Sequence, residues 1–266
     1  VDGNTAVGFE AGKVTTGAGN TLIGHQAGKG AAGTDENNTA VGYQALMSVA
    51  AGDQNTAIGG VALKDVNSGE DNVAVGYGAG ENLTTNSKNV HIGRNAGANL
   101  AAGIDGTIAI GFSALDAAVD TGHYTIAIGQ NALGALTSGD RNIGIGYNAL
   151  GVQQAGSDNT GVGYNALGAA NDADADHNTA IGVNAGDVIT DGYQNTLIGS
   201  GTDPSASGGI RQIVIGYGVT GQGNNTAVIG DDAMTALYAS SDAGATIHGG
   251  KLALGLARTD ASTVLH

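Results

Sequence analysis

The chain has no cysteine and no tryptophan, a single proline, and nine lysines and arginines against 24 aspartates and glutamates. Without cysteine there can be no disulfide and no thiolate metal site. A net charge of −15 lacks the basic footprint that nucleic acid or an anionic membrane surface would require. It is the charge of a chain kept soluble by self-repulsion. No apolar run is long enough for a membrane-spanning helix. With one proline and no G-x-y period, a collagen triple helix is excluded. Charged residues make up only 12% and hydrophobic ones 41%, which is not the composition of a disordered chain.

What the chain has in excess is glycine, 49 of 266 residues, and the glycines mark a repeat. The words NTAVGFEAG, NTLIGHQAG, NTAVGYQAL, NTAIGGVAL, NVAVGYGAG and NVHIGRNAG follow one another, and seven related words continue the series. Aligned on the glycine after Val or Ile, the copies fall at Gly8, Gly24, Gly42, Gly59, Gly76, Gly93, Gly111, Gly129, Gly146, Gly163, Gly182, Gly199 and Gly216. The spacings are 16 to 19 residues, mostly 17. An imperfect fourteenth copy ends at Gly230. A period this short does not accommodate a helix–turn–helix or a propeller blade, and one solenoid coil per repeat is the natural reading.

The columns of the alignment predict the coil. Val or Ile always precedes the glycine, and Thr, Val or Ile stands two residues earlier. That spacing places both β-branched residues on one face of a strand, which is expected to be the inside. The residue between them is mostly Ala, as at Ala6, Ala40, Ala57, Ala74, Ala109, Ala127 and Ala180, or Gly, as at Gly144 and Gly161. On the outer face, so small a column suggests close approach of another surface. The thin core, with two Phe and no Trp, also argues for a second buried face and so for association, expected to be threefold. Asn stands four residues before the glycine in ten of thirteen copies, where stacked side chains can form a hydrogen-bonded ladder. Gly recurs three residues before that Asn, as at Gly52, Gly69, Gly139, Gly156 and Gly192, and marks a corner. A second short segment ends in Ala-Leu or Ala-Gly, so each repeat reads as strand, corner, short strand, corner. The expectation is an all-β parallel β-roll or β-solenoid of 13 to 14 short coils over residues 1–230, about 60 Å long at the inter-strand spacing. Residues 231–266 leave the repeat and read as a junction or capping segment, with loose alternation from Thr246 to Leu256 around Gly249-Gly250. The start at Val1 without methionine points to processing or to a fragment.

The word N-T-A-V/I-G-x-x-A resembles the head repeat of trimeric autotransporter adhesins, in the form found in bacteriophage tail fibres. The resemblance covers residues 1–230. It implies a left-handed β-roll assembled as a parallel homotrimer; periodicity alone does not supply either property. The period here is longer than that of the adhesin heads, which implies larger corner loops. By the same resemblance, the final segment is similar to the junction that ends such rods in tail fibres.

Candidate chemistry is sparse. The residue after the aligned glycine is aromatic in seven copies: Phe9, Tyr43, Tyr77, Phe112, Tyr147, Tyr164 and Tyr217. Stacked coils turn this column into a stripe, which either covers the coil edge or offers flat faces to the sugar rings of a host glycan. Acidic residues gather before the Asn column, at Asp53, Glu70, Asp71, Asp140, Asp158 and Asp176. They suit a solvated corner better than calcium, since the G-G-x-G-x-D nonapeptide is absent. His25, His91, His123, His177, His248 and His266 lie at different phases of the repeat without a metal-binding spacing. G-x-G at Gly144/Gly146 and Gly161/Gly163 belongs to the repeat and lacks the helix that a phosphate loop needs. No catalytic, cofactor or metal residue is expected. The reading is a structural protein: a tail-fibre shaft or tip on a virion, acting as a rigid spacer and touching a host-surface glycan or protein, with no nucleic acid and no membrane insertion. The alternatives are the head of a bacterial trimeric adhesin at the cell surface and, from a different class, a glycan-degrading tailspike.

Overall fold

The computed structural model describes residues 3–30, 34–117, 123–231, 233 and 234. The chain divides into two compact units, Val1–Asp231 and Asp232–His266. The expected strands around Gly249-Gly250 lie outside the described residues.

The first unit is a β-solenoid. Fourteen strands, each of three residues, run from β1 (Thr5–Val7) to β14 (Ala227–Ile229), and each pairs only with its sequence neighbours in one parallel sheet. The register is the one the repeat dictates. For β4 (Thr56–Ile58) against β5 (Val73–Val75), Thr56 lies beside Val73, Ala57 beside Ala74 and Ile58 beside Val75. Every coil therefore places each column of the alignment in a file along the sheet.

The orientation of the strands is the reverse of the one expected. The small column faces inward: Ala40, Ala57, Ala74, Ala109, Ala127 and Ala180 are completely buried. The β-branched columns face outward, and Ile23, Ile58, Ile92, Ile145, Ile181 and Ile198 are exposed. The cause is the width of the coil. Behind each strand the chain returns through Ala-Leu, and Leu46, Leu63, Leu115, Leu133, Leu150 and Leu167 are fully buried across from the small residues. A Cβ on Gly144 would already stand 3.1 Å from the Ala149 carbonyl and 3.2 Å from Leu133 Cγ. One leucine opposite one alanine fills this interior, and isoleucines from the strand would overfill it.

The returning segment is a turn, not the expected second strand. Gln44 and Leu46 both hold left-handed backbones, with φ of 54° and 50°, and such residues cannot continue an extended run. Their amides point to opposite neighbours: Gln44 N–H donates to His25 O (2.9 Å) and Leu46 N–H to Ala62 O (3.0 Å).

Three strands place a Leu or His in the small column, and glycine stands on the wall opposite each. Leu22 replaces the strand alanine, and the leucine position is then glycine at Gly12 and Gly28, where a Cβ would strike the Leu22 side chain. His91 is flanked in the same way by Gly80 and Gly97, and Leu197 by Gly186. Large residues inside the coil alternate between the two walls and keep the enclosed volume constant.

The corners follow the sequence reading. Gly76 has φ of 136°, and a Cβ there would lie 2.6 Å from Gly93 O, so only glycine fits. The asparagine ladder is also present. Asn38 Oδ1 accepts Asn55 N–H (2.8 Å), and Asn55 Oδ1 accepts Asn72 N–H (3.0 Å). Each Nδ2 donates to the carbonyl at the glycine corner of the next coil, Asn38 to Gly52 O and Asn55 to Gly69 O, both at 2.8 Å. Buried backbone groups that the short strands leave over are satisfied in this way.

Candidate functional site

Two surface features run the length of the solenoid. The first is the outward face of the sheet. Val41, Ile58, Val75, Ile92, Ile110, Ile128, Ile145, Val162, Ile181 and Ile198 form one file, and Thr, Val or Ile forms a second. Neither file contains a charge from β1 to β13 (Ile213–Ile215). Fourteen strands at the inter-strand spacing make a strip of roughly 60 Å by 7 Å. Sequence reasoning found these residues but buried them in the wrong place. No signal in the two columns told outside from inside, because both strand faces are apolar.

The second feature is the aromatic file. Phe9, Tyr43, Tyr77, Phe112, Tyr147, Tyr164 and Tyr217 are all exposed, between 47% and 78%. Where neighbouring coils both carry a ring, the rings stack along the file. Phe9 stacks on His25 (centroids 5.2 Å apart) and His25 on Tyr43 (5.3 Å), while Tyr147 stacks on Tyr164 (5.3 Å). The Arg94 guanidinium sits 5.9 Å from both the Tyr77 and the Phe112 ring centres. His25 and Arg94 thus complete the file, although the aromatic signature does not reveal them; their position directly after the aligned glycine does. The file breaks at Gly60, at Gln130 and again at Val183 and Ser200, which set Tyr217 apart. Within each run the faces are turned to one another, so ring edges and the terminal faces of each run are the parts that meet solvent.

Four of the six acidic residues accept hydrogen bonds from a neighbouring coil: Asp53, Asp140, Asp158 and Asp176. Asp53 Oδ1 accepts Glu36 N–H (2.6 Å), Asp140 Oδ1 accepts His123 N–H (3.0 Å) and Asp176 Oδ1 accepts Ser157 N–H (2.5 Å). Ser87 and Ser157 fill the same role for Glu70 and Asp140 N–H at 3.1 Å. Asp158 receives Arg141 through two nitrogens at 2.7 and 2.9 Å, which holds its carboxyl below the usual range. Among the described residues no group of three or more His, Cys, Asp or Glu side chains stands close enough to hold a metal ion. None of their helices is long and apolar enough to cross a membrane.

Four titratable groups are perturbed by burial, among them Asp116, whose carboxyl is raised above the usual range. Asp35 is pushed up to about 6, with the Asp53 charge adding to the effect. Asp203 is likewise pushed up to about 6, with Asp187 adding. His91, completely enclosed, is pushed down to about 4. A shallow groove of about 320 Å³ opens over Gly134 and Gly151, bordered by Ser113, Asp116, Asn131 and Asn148. No family model, no curated protein and no solved structure matches the chain.

Proposed function

We propose that the chain is a structural fibre protein: a segment of a bacteriophage tail-fibre shaft or tip, assembled as a parallel homotrimer, that serves as a rigid spacer and contacts the host surface. One observation carries this reading. The solenoid encloses its own apolar core, yet presents an uncharged β-branched strip along its whole length. An exposed apolar patch of a few hundred Å² is often functional. A ladder with identical geometry in every coil suits a copy of itself in register, because each outward isoleucine then meets an equivalent position at each step. The expected interface therefore passes from the alanine column, which is interior, to the isoleucine column. The threefold arrangement rests on the resemblance of the repeat to trimeric adhesin heads and tail fibres. The same resemblance supports a second reading, the head of a bacterial trimeric adhesin; the gene context, a cleaved chaperone domain against a membrane anchor, separates the two.

The test is the mass of the native assembly by light scattering, for the wild type and for Ile128→Asp combined with Ile145→Asp. A three-chain mass that falls to one chain in the variant, with an unchanged β-sheet spectrum, is the expected result. A wild-type monomer at micromolar concentration would overturn the proposal.

A further inference from the structure

We propose that the coils around His91 form an acid-sensitive joint in the middle of the solenoid. His91 occupies the strand position that is alanine or glycine in most coils, and it has no exposed surface. Two glycines make its chamber. A Cβ on Gly97 would stand 2.5 to 2.6 Å from the imidazole ring, and one on Gly80 would stand 3.1 Å from Nδ1. Neither glycine is demanded by the backbone. Their φ values of 57° and 58° lie close to those at Leu63, Leu115 and Leu133 in the same column, 46° to 51°. The glycines are there to admit the ring.

A polar ring is not what packing requires at such a chamber. The two other large strand residues accommodated by glycine are Leu22 and Leu197. Histidine instead brings a defined protonation state. Thr107 Oγ1 donates to Asn89 Oδ1 (2.8 Å), so it meets His91 Nε2 (2.9 Å) as an acceptor, and Nε2 carries the proton. Nδ1 is then a bare lone pair with no hydrogen-bond partner. Around it stand Gly80 and the methyl groups of Leu63 and Leu83. From the strand side the neighbours are Ala74 and Ala109, and from the next coil Thr107. None of these groups is charged or titratable. Protonating Nδ1 would place an uncompensated cation, with a donor lacking an acceptor, inside an apolar wall.

The direction follows from linkage. Burial lowers the folded value from 6.5 to about 4. The stabilisation from a neutral His91 is therefore complete above 6.5 and is lost as the pH falls from there to about 4. Each pH unit in that window raises the opening constant of the joint about tenfold, to roughly 300-fold in all. Because each coil contacts only its neighbours, opening concentrates in the coils adjoining β6 (Val90–Ile92) and leaves the flanking coils closed.

The experiment is residue-resolved hydrogen exchange on the assembled protein from pH 7.5 to 4, corrected for intrinsic exchange, for the wild type and His91→Leu. Leucine fits the equivalent chamber at Leu22, so the variant is expected to fold. The expected result is a pH-dependent loss of protection in coils 5 to 7 of the wild type that is absent in the variant. An equal pH response in both proteins would overturn the inference. So would an NMR titration of the His91 ring in the native wild type with a midpoint near 6.5, a measurement that does not depend on the variant.

Discussion

Removing one rung of the asparagine ladder tests whether side chains, rather than strands, hold the coils together. In Asn55→Ala three hydrogen bonds disappear. They are Nδ2 to Gly69 O at 2.8 Å, and Oδ1 from Asn72 N–H and from Asn72 Nδ2, both at 3.0 Å. Asn55 and Asn72 are completely buried, so water cannot replace the lost partners. Gly69 O and Asn72 N–H are left without partners at about 1–3 kcal/mol each, and the coil interface should weaken by roughly 2–6 kcal/mol. A three-residue strand has little else to set against that loss. The assay is guanidinium unfolding followed by circular dichroism, with hydrogen exchange at the Asn72 amide as the local readout. Exchange there should accelerate by at least about 30-fold, the factor for ~2 kcal/mol. A cost below about 1 kcal/mol for the alanine variant, at unchanged dependence on denaturant, would refute the reasoning.

Two further outcomes follow from the interior. Gly28→Leu alone should destabilise the second coil, since a Cβ there would meet Leu22 Cγ at 3.1 Å. Leu22→Ala alone should cost about 2–5 kcal/mol, whereas the double variant recreates the Ala40/Leu46 arrangement of the next coil. A double-mutant cycle should give a coupling of roughly 2–3 kcal/mol in favour of the pair, and simple additivity would refute the size exchange. Asp35 supplies a pH dependence opposite in sign to that of His91. Its folded value is raised from 3.8 to about 6, so its contribution is fully present below 3.8 and is lost as the pH rises through about 6. Asp35→Asn should therefore gain stability relative to the wild type on going from pH 4 to pH 7; a constant difference in melting temperature across that range would count against burial as the cause.

The sequence by itself determined the period, the parallel register, the glycine corners and the asparagine ladder. Each of these depends on chemistry confined to one column: a glycine with φ of 136° at Gly76, or an amide that both donates and accepts at Asn55. The aromatic file was legible for the same reason, since position after the aligned glycine places Phe9, Tyr43 and Tyr147 on one edge. Only the tertiary structure decided which strand face is inside. Alternation divides a strand into two faces, but here both are apolar, and no polar side announces the solvent. The choice between alanine and isoleucine is made by the width left once Leu46 and its equivalents enter from the opposite wall. That entry depends on non-glycine residues in the left-handed region, such as Leu46 and Gln44, which propensity alone would not place there. The pairing of Leu22 with Gly28 and of His91 with Gly97 was written in the chain as Ala-Gly in place of Ala-Leu. It acquires meaning only when the coil brings the two walls within a side chain's reach.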